Sequence, residues 1–251
     1  LEVRKIHKYQ VAFRKLIEEY KNAGLLPVYD AGFISLDKQF LTIGINGMVE
    51  AAEYLDIAPT NNEQYKEFVR HHLKIIYDEN RKARQIYGYM FNTEFVPAEN
   101  LGVKNALWDK KSGLFSPREC YNSYFYAVED DHINVLDKII LHGKEFIEYL
   151  DGGSALHLNL EETPNKEGFL KLLNATALAG CNYFCFNIRI TICNECNHID
   201  KRTLFECPEC HSENVDHATR VIGYLKRVSC FSTARQKEHK LRHYHLSTSK
   251  R

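Results

Sequence analysis

The chain has 251 residues, enough for one large hydrophobic core or two modest ones, and its 44% hydrophobic and 26% charged residues are typical of a globular protein. Its 33 basic and 33 acidic residues balance, which argues against binding to nucleic acid or a membrane through net charge. No apolar run reaches the roughly 18 residues of a membrane helix, and no signal peptide is visible, so we expect a cytoplasmic protein.

The first part of the sequence predicts two helices. Asn61 or Asn62 can cap a long helix that runs to about Arg84. The earlier helix is predicted to end near Gly24 and to face the core, because its apolar residues recur at helical spacing. They are Ile6, Tyr9, Phe13, Leu16, Ile17 and Tyr20.

The stretch FNTEFVPAEN, residues 91–100, is predicted to form a strand followed by a turn at Pro97. Two carboxylates, Glu94 and Glu99, lie on either side of this proline. Acids in a loop after a strand can act as acid or base or can bind ribose hydroxyls. On pattern alone, solvated loop acids are the simpler interpretation.

Helices and strands alternate in the second half of the chain. A helix over residues 134–150 precedes the strand SALHLNL, and a helix over residues 166–178 that stops at Gly180 precedes the strand YFCFNIRITI. This alternation predicts an α/β fold with parallel strands. His157 lies inside the first of these strands, where we expect a hydrogen-bonded structural role.

Four of the eight cysteines form two Cys-x-x-Cys pairs separated by ten residues. Each pair offers two thiolates, and the intervening NHIDKRTLFE is long enough for a small hairpin, so the spacing predicts one tetrahedral zinc site. Disulfides, a redox-active dithiol and an iron site are the alternatives. The predicted ligands are Cys193, Cys196, Cys207 and Cys210.

A structural role is favoured for this metal site over nucleic-acid binding. The segment between the two pairs carries only Lys201 and Arg202 as basic residues, few for following a phosphate backbone. From Ala218 to Arg251, in contrast, nine basic residues accompany a single acid, Glu238. Such a tail is either solvated surface or docks on an acidic partner or on its own protein.

After the cysteines comes RVIGYL, with Gly223 between bulky neighbours. Alone, this glycine could supply a positive φ, a bulge or a close backbone contact. In this order, however, the cysteine pairs, RVIGYL and the tail ARQKEHKLRHYH resemble the C-terminal region of the anaerobic, class III ribonucleoside-triphosphate reductases. The resemblance extends upstream through TIGINGMVEAAEYL, FNTEFVPAEN, NSYFYAVEDD, GGSALHLNL and CNYFCFNIRITIC, and so covers essentially the whole chain.

The resemblance implies that Gly223 carries a stable radical, formed by a separate activating enzyme that uses an iron-sulfur cluster and S-adenosylmethionine. A radical at an α-carbon needs a flat centre without an obstructing side chain, which glycine alone provides. The radical would pass to a loop cysteine, expected upstream of Leu1, and the thiyl would act on a bound ribonucleotide. Formate is the expected reductant, and the enzyme is expected to be oxygen-sensitive and homodimeric.

The resemblance also turns FNTEFVPAEN into a candidate active-site loop. Asn92 becomes a candidate substrate contact, and Glu94 and Glu99 become candidate catalytic residues, with Glu99 favoured. A carboxylate beside the ribose can accept a hydroxyl proton during radical chemistry.

The expected fold is α/β, part of the ten-stranded barrel of glycyl radical enzymes, with a zinc-ribbon element and a radical loop. We expect residues 1–190 to form the C-terminal part of the barrel, 191–217 the four-cysteine element, and 218–251 the radical loop and basic tail. The expected function is the radical-bearing part of a reductase that makes deoxyribonucleotides for DNA replication, together with an N-terminal part. The alternative is a noncatalytic zinc-ribbon module that binds a partner or nucleic acid.

Overall fold

The computed structural model describes residues 1–95, 97, 100–220 and 224–245. No helix within these ranges is both long and apolar enough to cross a membrane. The helices are α1 (Glu2–Asn22), α2 (Pro27–Asp30), α3 (Met48–Tyr54), α4 (Glu63–Tyr87), α5 (Leu101–Lys111), α6 (Val135–Leu141), α7 (Lys144–Ile147), α8 (Lys166–Ala179) and α9 (Thr233–Leu241). The strands are β1 (Leu41–Gly44), β2 (Phe91–Phe95), β3 (Gly153–Leu160), β4 (Tyr183–Ile188), β5 (Ile190–Cys193), β6 (Ile199–Asp200), β7 (Val215–Arg220) and β8 (Leu225–Arg227).

The strands form two sheets of different type. The first has the order β1-β2-β3-β4 and is parallel throughout, whereas the second has the order β6-β5-β7-β8 and is antiparallel. Only Arg189 separates β4 from β5, so the chain passes directly from the parallel sheet into the antiparallel one. Helices between the parallel strands confirm the α/β class predicted from the alternating pattern.

The two faces of the parallel sheet have opposite character. Phe95, Leu156 and Leu158 lie on one face in the main hydrophobic core, together with Leu73 of α4. Because successive side chains of a strand point to opposite faces, the intervening residues lie on the other face. That face is rich in polar residues, and we call it the polar face; it includes Asn92, Glu94, His157, Asn159 and Asn187.

The helix α1 forms as predicted, but the prediction that its apolar side is buried is wrong. Its buried residues are His7, Val11 and Arg14, whereas Tyr9 is 77% and Phe13 is 63% exposed. The polar groups on the buried side are satisfied: the His7 ring contacts the Asn80 side-chain oxygen at 2.7 Å, and Arg14 bonds the Leu36 carbonyl. Hydrogen bonding thus allows the polar side to face the protein and leaves the apolar side outward.

The predicted start of α4 and end of α8 are confirmed. Asn62 caps α4 by accepting a hydrogen bond from the Tyr65 amide at 2.8 Å, and α8 ends at Gly180 with φ of 82°. The single helix predicted over residues 134–150 is wrong, since α6 and α7 are separate there. The break falls at Gly143, where a Cβ would lie 2.6 Å from the Ala179 carbonyl oxygen, so α8 packs directly on this backbone.

Candidate functional site

The four cysteines predicted as metal ligands lie together at one end of the antiparallel sheet, with Cys193 in β5 and the other three in the adjoining turns. Their sulfur atoms are all within 4.8 Å of one another, and two pairs are separated by 3.5 Å and 3.6 Å. These distances are far longer than the roughly 2.05 Å of a disulfide. Zinc-sulfur bonds of about 2.3 Å in a tetrahedron place the sulfurs about 3.8 Å apart, so the residues fit Zn²⁺. Such an ion would cross-link the sheet and would supply no redox chemistry.

The two Cys-x-x-Cys turns repeat the same backbone conformation. In each, the amide of the first cysteine donates to the carbonyl five residues later: Cys193 to His198 and Cys207 to Ser212, both at 2.9 Å. The residue after each second cysteine is left-handed, with φ of 62° at Asn197 and 57° at His211. This repeated turn brings both sulfurs of a pair to one side, which is the geometry that a shared ion requires.

The strand β7 joins this cluster to the segment that contains Gly223. Val215, the first residue of β7, pairs with Cys193, and Arg220, its last residue, pairs with Leu225 of β8. Residues 221–224 connect these paired positions, and Gly223 lies among them, outside the described residues. At about 3.4 Å per residue, the cluster and this connection are about 17 Å apart along β7.

A buried asparagine joins the end of β7 to the parallel sheet. The side-chain oxygen of Asn187 accepts hydrogen bonds from the Thr219 hydroxyl at 2.9 Å and from the Arg220 amide at 3.0 Å. Its side-chain nitrogen donates to Asn159 on β3 at 2.8 Å. Asn187 therefore contacts both sheets at the point where the chain enters the connection.

The basic tail carries an ion cluster on α9, and Lys237 of the same helix docks it on Glu119 at 2.8 Å. Glu238 accepts hydrogen bonds from Arg242 at 2.8 Å and 2.9 Å and from Arg235 at 3.3 Å. Burial alone would raise the pKa of Glu238, but the two guanidinium groups lower it below its ordinary value. Arg242 also donates to the Arg220 carbonyl at 3.2 Å. This part of the tail is therefore structural, one of the possibilities left open by its composition.

Two of the three candidate residues from FNTEFVPAEN lie on the polar face, two positions apart on β2. Asn92 is buried, and its side-chain oxygen has no hydrogen-bond partner among the described residues. Glu94 pairs in register with Gly44, where a Cβ would lie 3.8 Å from a Glu94 carboxylate oxygen. The third candidate, Glu99, lies outside the described residues. The structure thus brings Asn92 and Glu94 to one surface without assigning them a role.

Sequence reasoning missed the other polar groups of that face. Asn159 and Asn187 were not singled out, although strict alternation along YFCFNI and SALHLNL could have placed them beside His157. The ring of His157 lies 3.2 Å from the Tyr124 hydroxyl. Burial, helped by the nearby charge of Arg242, lowers the pKa of His157 to about 4, so the ring is neutral at pH 7. The structural role expected of His157 remains a prediction.

Comparison with known proteins places these features in one family. The family model described as anaerobic ribonucleoside-triphosphate reductase matches residues 2–245. A solved anaerobic ribonucleotide reductase superposes with a TM-score of 0.88 and 32% identity, over 98% of this chain and 40% of its own. The anaerobic ribonucleotide reductase of Thermotoga maritima in complex with dATP and CTP superposes with a TM-score of 0.82 and 31% identity, over 96% of this chain and 40% of its own. For the same enzyme with dATP bound in the specificity site, the TM-score is 0.81 and the identity 32%, over 92% of this chain and 39% of its own.

A search of curated proteins gave no match. The chain spans about two fifths of the length of the solved structures that it resembles. The family match extends through both sheets, from α1 to the end of the described tail, which agrees with the resemblance seen in the sequence. The chain belongs to the anaerobic ribonucleoside-triphosphate reductase family.

Proposed function

We propose that this chain is the radical-bearing, C-terminal part of an oxygen-sensitive reductase that converts ribonucleoside triphosphates to deoxyribonucleotides, with the radical at Gly223. The observation that carries the proposal is the pairing of Arg220 with Leu225. This pairing makes residues 221–224 the connection between two strands of the sheet that holds the four cysteines. Glycine is the residue type at which an α-carbon radical is both flat and reachable.

The zinc-ribbon element, residues 191–217, is proposed to hold this connection in place. The antiparallel sheet begins with Ile190, close to the proposed boundary between the barrel part, 1–190, and this element. A zinc ion bound by the four cysteines would fix one end of β7, while residues 218–251 supply the radical segment and the tail. The metal would then be structural, and iron is the alternative for the same ligand set.

The proposed reaction uses a radical relay. An activating enzyme with an iron-sulfur cluster and S-adenosylmethionine removes a hydrogen atom from Gly223, and the radical passes to a cysteine in the N-terminal part of the reductase. The thiyl takes the 3′ hydrogen of the ribonucleotide, and the 2′ hydroxyl leaves as water. Oxidation of formate to carbon dioxide would supply the two electrons. The complete enzyme is proposed to be a cytoplasmic homodimer.

Asn92, Glu94 and Glu99 are proposed to contact the nucleotide. Support comes from the shared face of Asn92 and Glu94 and from the side-chain oxygen of Asn92, which lacks a hydrogen-bond partner within the described ranges and could accept from a ribose or base donor. Glu99 is the favoured proton acceptor. Glu99→Gln in the complete enzyme should lower turnover while the radical signal is retained, and undiminished turnover would remove Glu99 from the proposal.

Anaerobic electron paramagnetic resonance tests the central proposal. The complete reductase that contains this segment is treated with the activating enzyme and S-adenosylmethionine. A doublet that disappears in Gly223→Ala is the expected result. A folded, metal-loaded wild-type enzyme without any organic radical would contradict it.

The alternative, a noncatalytic zinc-ribbon module, is not favoured. A binding module of that kind needs only the antiparallel sheet, whereas the family match extends over residues 2–245. Gly223→Ala distinguishes the two functions, since a binding module would be scarcely affected by it.

A further inference from the structure

The last residue of β7, Arg220, is fixed by groups from outside its own hairpin. Its amide donates to Asn187 at 3.0 Å, and its carbonyl accepts from Arg242 at 3.2 Å. Asn187 belongs to the parallel sheet, and Arg242 follows α9. Both backbone polar groups of the residue three positions before Gly223 are therefore bound to other parts of the protein.

The orientation of the Asn187 amide is determined by its partners. The Arg220 amide can only donate, so the atom facing it must be the side-chain oxygen of Asn187. The opposite atom, the nitrogen, then faces the side-chain oxygen of Asn159 at 2.8 Å. Asn187 is 1% exposed and Thr219 is fully buried, so water cannot replace these bonds without rearrangement.

The position of Asn187 distinguishes it from a general packing residue. It pairs in register with Asn159 on the polar face, the same face that carries Asn92 and Glu94 on β2. Its hydrogen bonds therefore fix the distance between the polar face and Arg220, the residue directly before the 221–224 connection. The four-cysteine cluster fixes the opposite end of β7, about 17 Å away, and cannot set this separation as directly.

We propose that Asn187 is a positioning residue that sets where the radical-bearing connection lies relative to the polar face. This proposal rests on the proposed function, because it assumes that Gly223 exchanges a hydrogen atom with a group near that face. Hydrogen transfer requires the reacting atoms in near contact, and a displacement of about 1 Å can lower a rate about 100-fold. Asn187 touches neither substrate nor the reacting atoms in this role.

The test separates radical formation from use of the radical. Asn187→Ala and Thr219→Val are introduced into the complete reductase, and two quantities are measured: organic radicals per chain, and turnover per radical at saturating nucleotide. We expect turnover per radical to fall about 10- to 100-fold in both variants, with zinc content unchanged. Thr219→Ser, which keeps the hydroxyl donor to Asn187, should restore most of the loss.

The matched control is Thr176→Val in α8. Thr176 is also fully buried, and among the described residues its hydroxyl donates to the Leu172 and Leu173 carbonyls of its own helix. It should change stability without changing turnover per radical. Wild-type turnover per radical in Asn187→Ala and Thr219→Val would overturn the positioning role. Failure of the proposed function is a different result, since the wild-type enzyme would then show neither radical nor turnover.

Discussion

Gly180 packs against Lys144: a Cβ added to Gly180 would lie 3.0 Å from the Lys144 Cβ. Gly180 also has φ of 82°, a conformation that costs alanine about 1 to 2 kcal/mol. Gly88 ends α4 with φ of 74°, and apart from the adjacent residues no atom of the described part of the chain lies within 4 Å of the same added position. We therefore expect Gly180→Ala to destabilise the protein by about 1 to 3 kcal/mol more than Gly88→Ala, because it also introduces overpacking. Denaturant unfolding measures the stability of both variants, and an equal loss of unfolding free energy in the two would contradict the close contact between Gly180 and Lys144.

The ion cluster on α9 should make stability depend on pH. The pKa of Glu238 is lowered in the folded protein, so its ion pairs stabilise the fold above the ordinary carboxyl pKa of about 4.3. This contribution is lost as the pH falls through the lowered folded value. Glu238→Gln leaves Arg242 buried without its charge partner and should cost about 3 to 5 kcal/mol at pH 7.

Unfolding free energies of Glu238→Gln and the wild type should converge as the pH falls below about 4. Glu167→Gln is the control, because the Glu167–Lys171 pair is solvent-exposed at both residues. Glu167→Gln should not measurably change the free energy of unfolding, at pH 7 or below about pH 4. A difference between wild type and Glu238→Gln that stays constant down to pH 3 would show that the charge of Glu238 is not what stabilises α9.

The cysteine cluster predicts a metal dependence that a lone exposed thiol does not share. Cys196→Ser removes one of the four sulfurs, and we expect bound metal to fall well below one equivalent. The backbone amides of the antiparallel sheet should then exchange their hydrogens with solvent faster than in the wild type. Cys230→Ser is the matched control, since Cys230 is also exposed but lies outside the cluster. Metal analysis of anaerobically purified protein and hydrogen exchange measure the two effects. A full equivalent of metal in Cys196→Ser would exclude a four-cysteine site.

The orientation of α1 can be tested with two substitutions on the same helix. Val11 is 8% exposed and packs with Ala83 and Phe91, so Val11→Ala should destabilise this chain by about 1 to 2 kcal/mol. Phe13 is exposed, so Phe13→Ala should change stability by less than about 0.5 kcal/mol. Thermal or denaturant unfolding distinguishes them, and the reverse order would restore the orientation predicted from the apolar spacing.

Local signals predicted most of the secondary structure because they act over a few residues. The cap at Asn62, the stop at Gly180 and the paired cysteines each depend on neighbouring backbone groups, which the sequence displays directly. The break at Gly143 could not be predicted in this way, since it results from contact with Ala179, more than thirty residues later.

The buried side of α1 shows a second limit. Apolar spacing identifies the helix, but it assumes that the apolar side faces this chain's own core. His7 and Arg14 instead find hydrogen-bond partners far along the chain, at Asn80 and Leu36, and those partners have no signature near α1 in the sequence. Asn187 was missed for the same reason, because the donors that reveal its role lie over thirty residues away in β7.

Leu160, the last residue of β3, pairs with two segments: with Ile188 at the end of β4, and with His245 in the tail. Residues 189–244, which include the cysteine cluster, β7, β8 and α9, therefore form one excursion closed at a single strand position. Because closure entropy grows only with the logarithm of length, such an excursion can gain or lose residues between its fixed points at small cost. Changes of length are therefore tolerated in the stretches between these fixed points, which include Thr219 and Arg220 at Asn187 as well as the two ends beside Leu160.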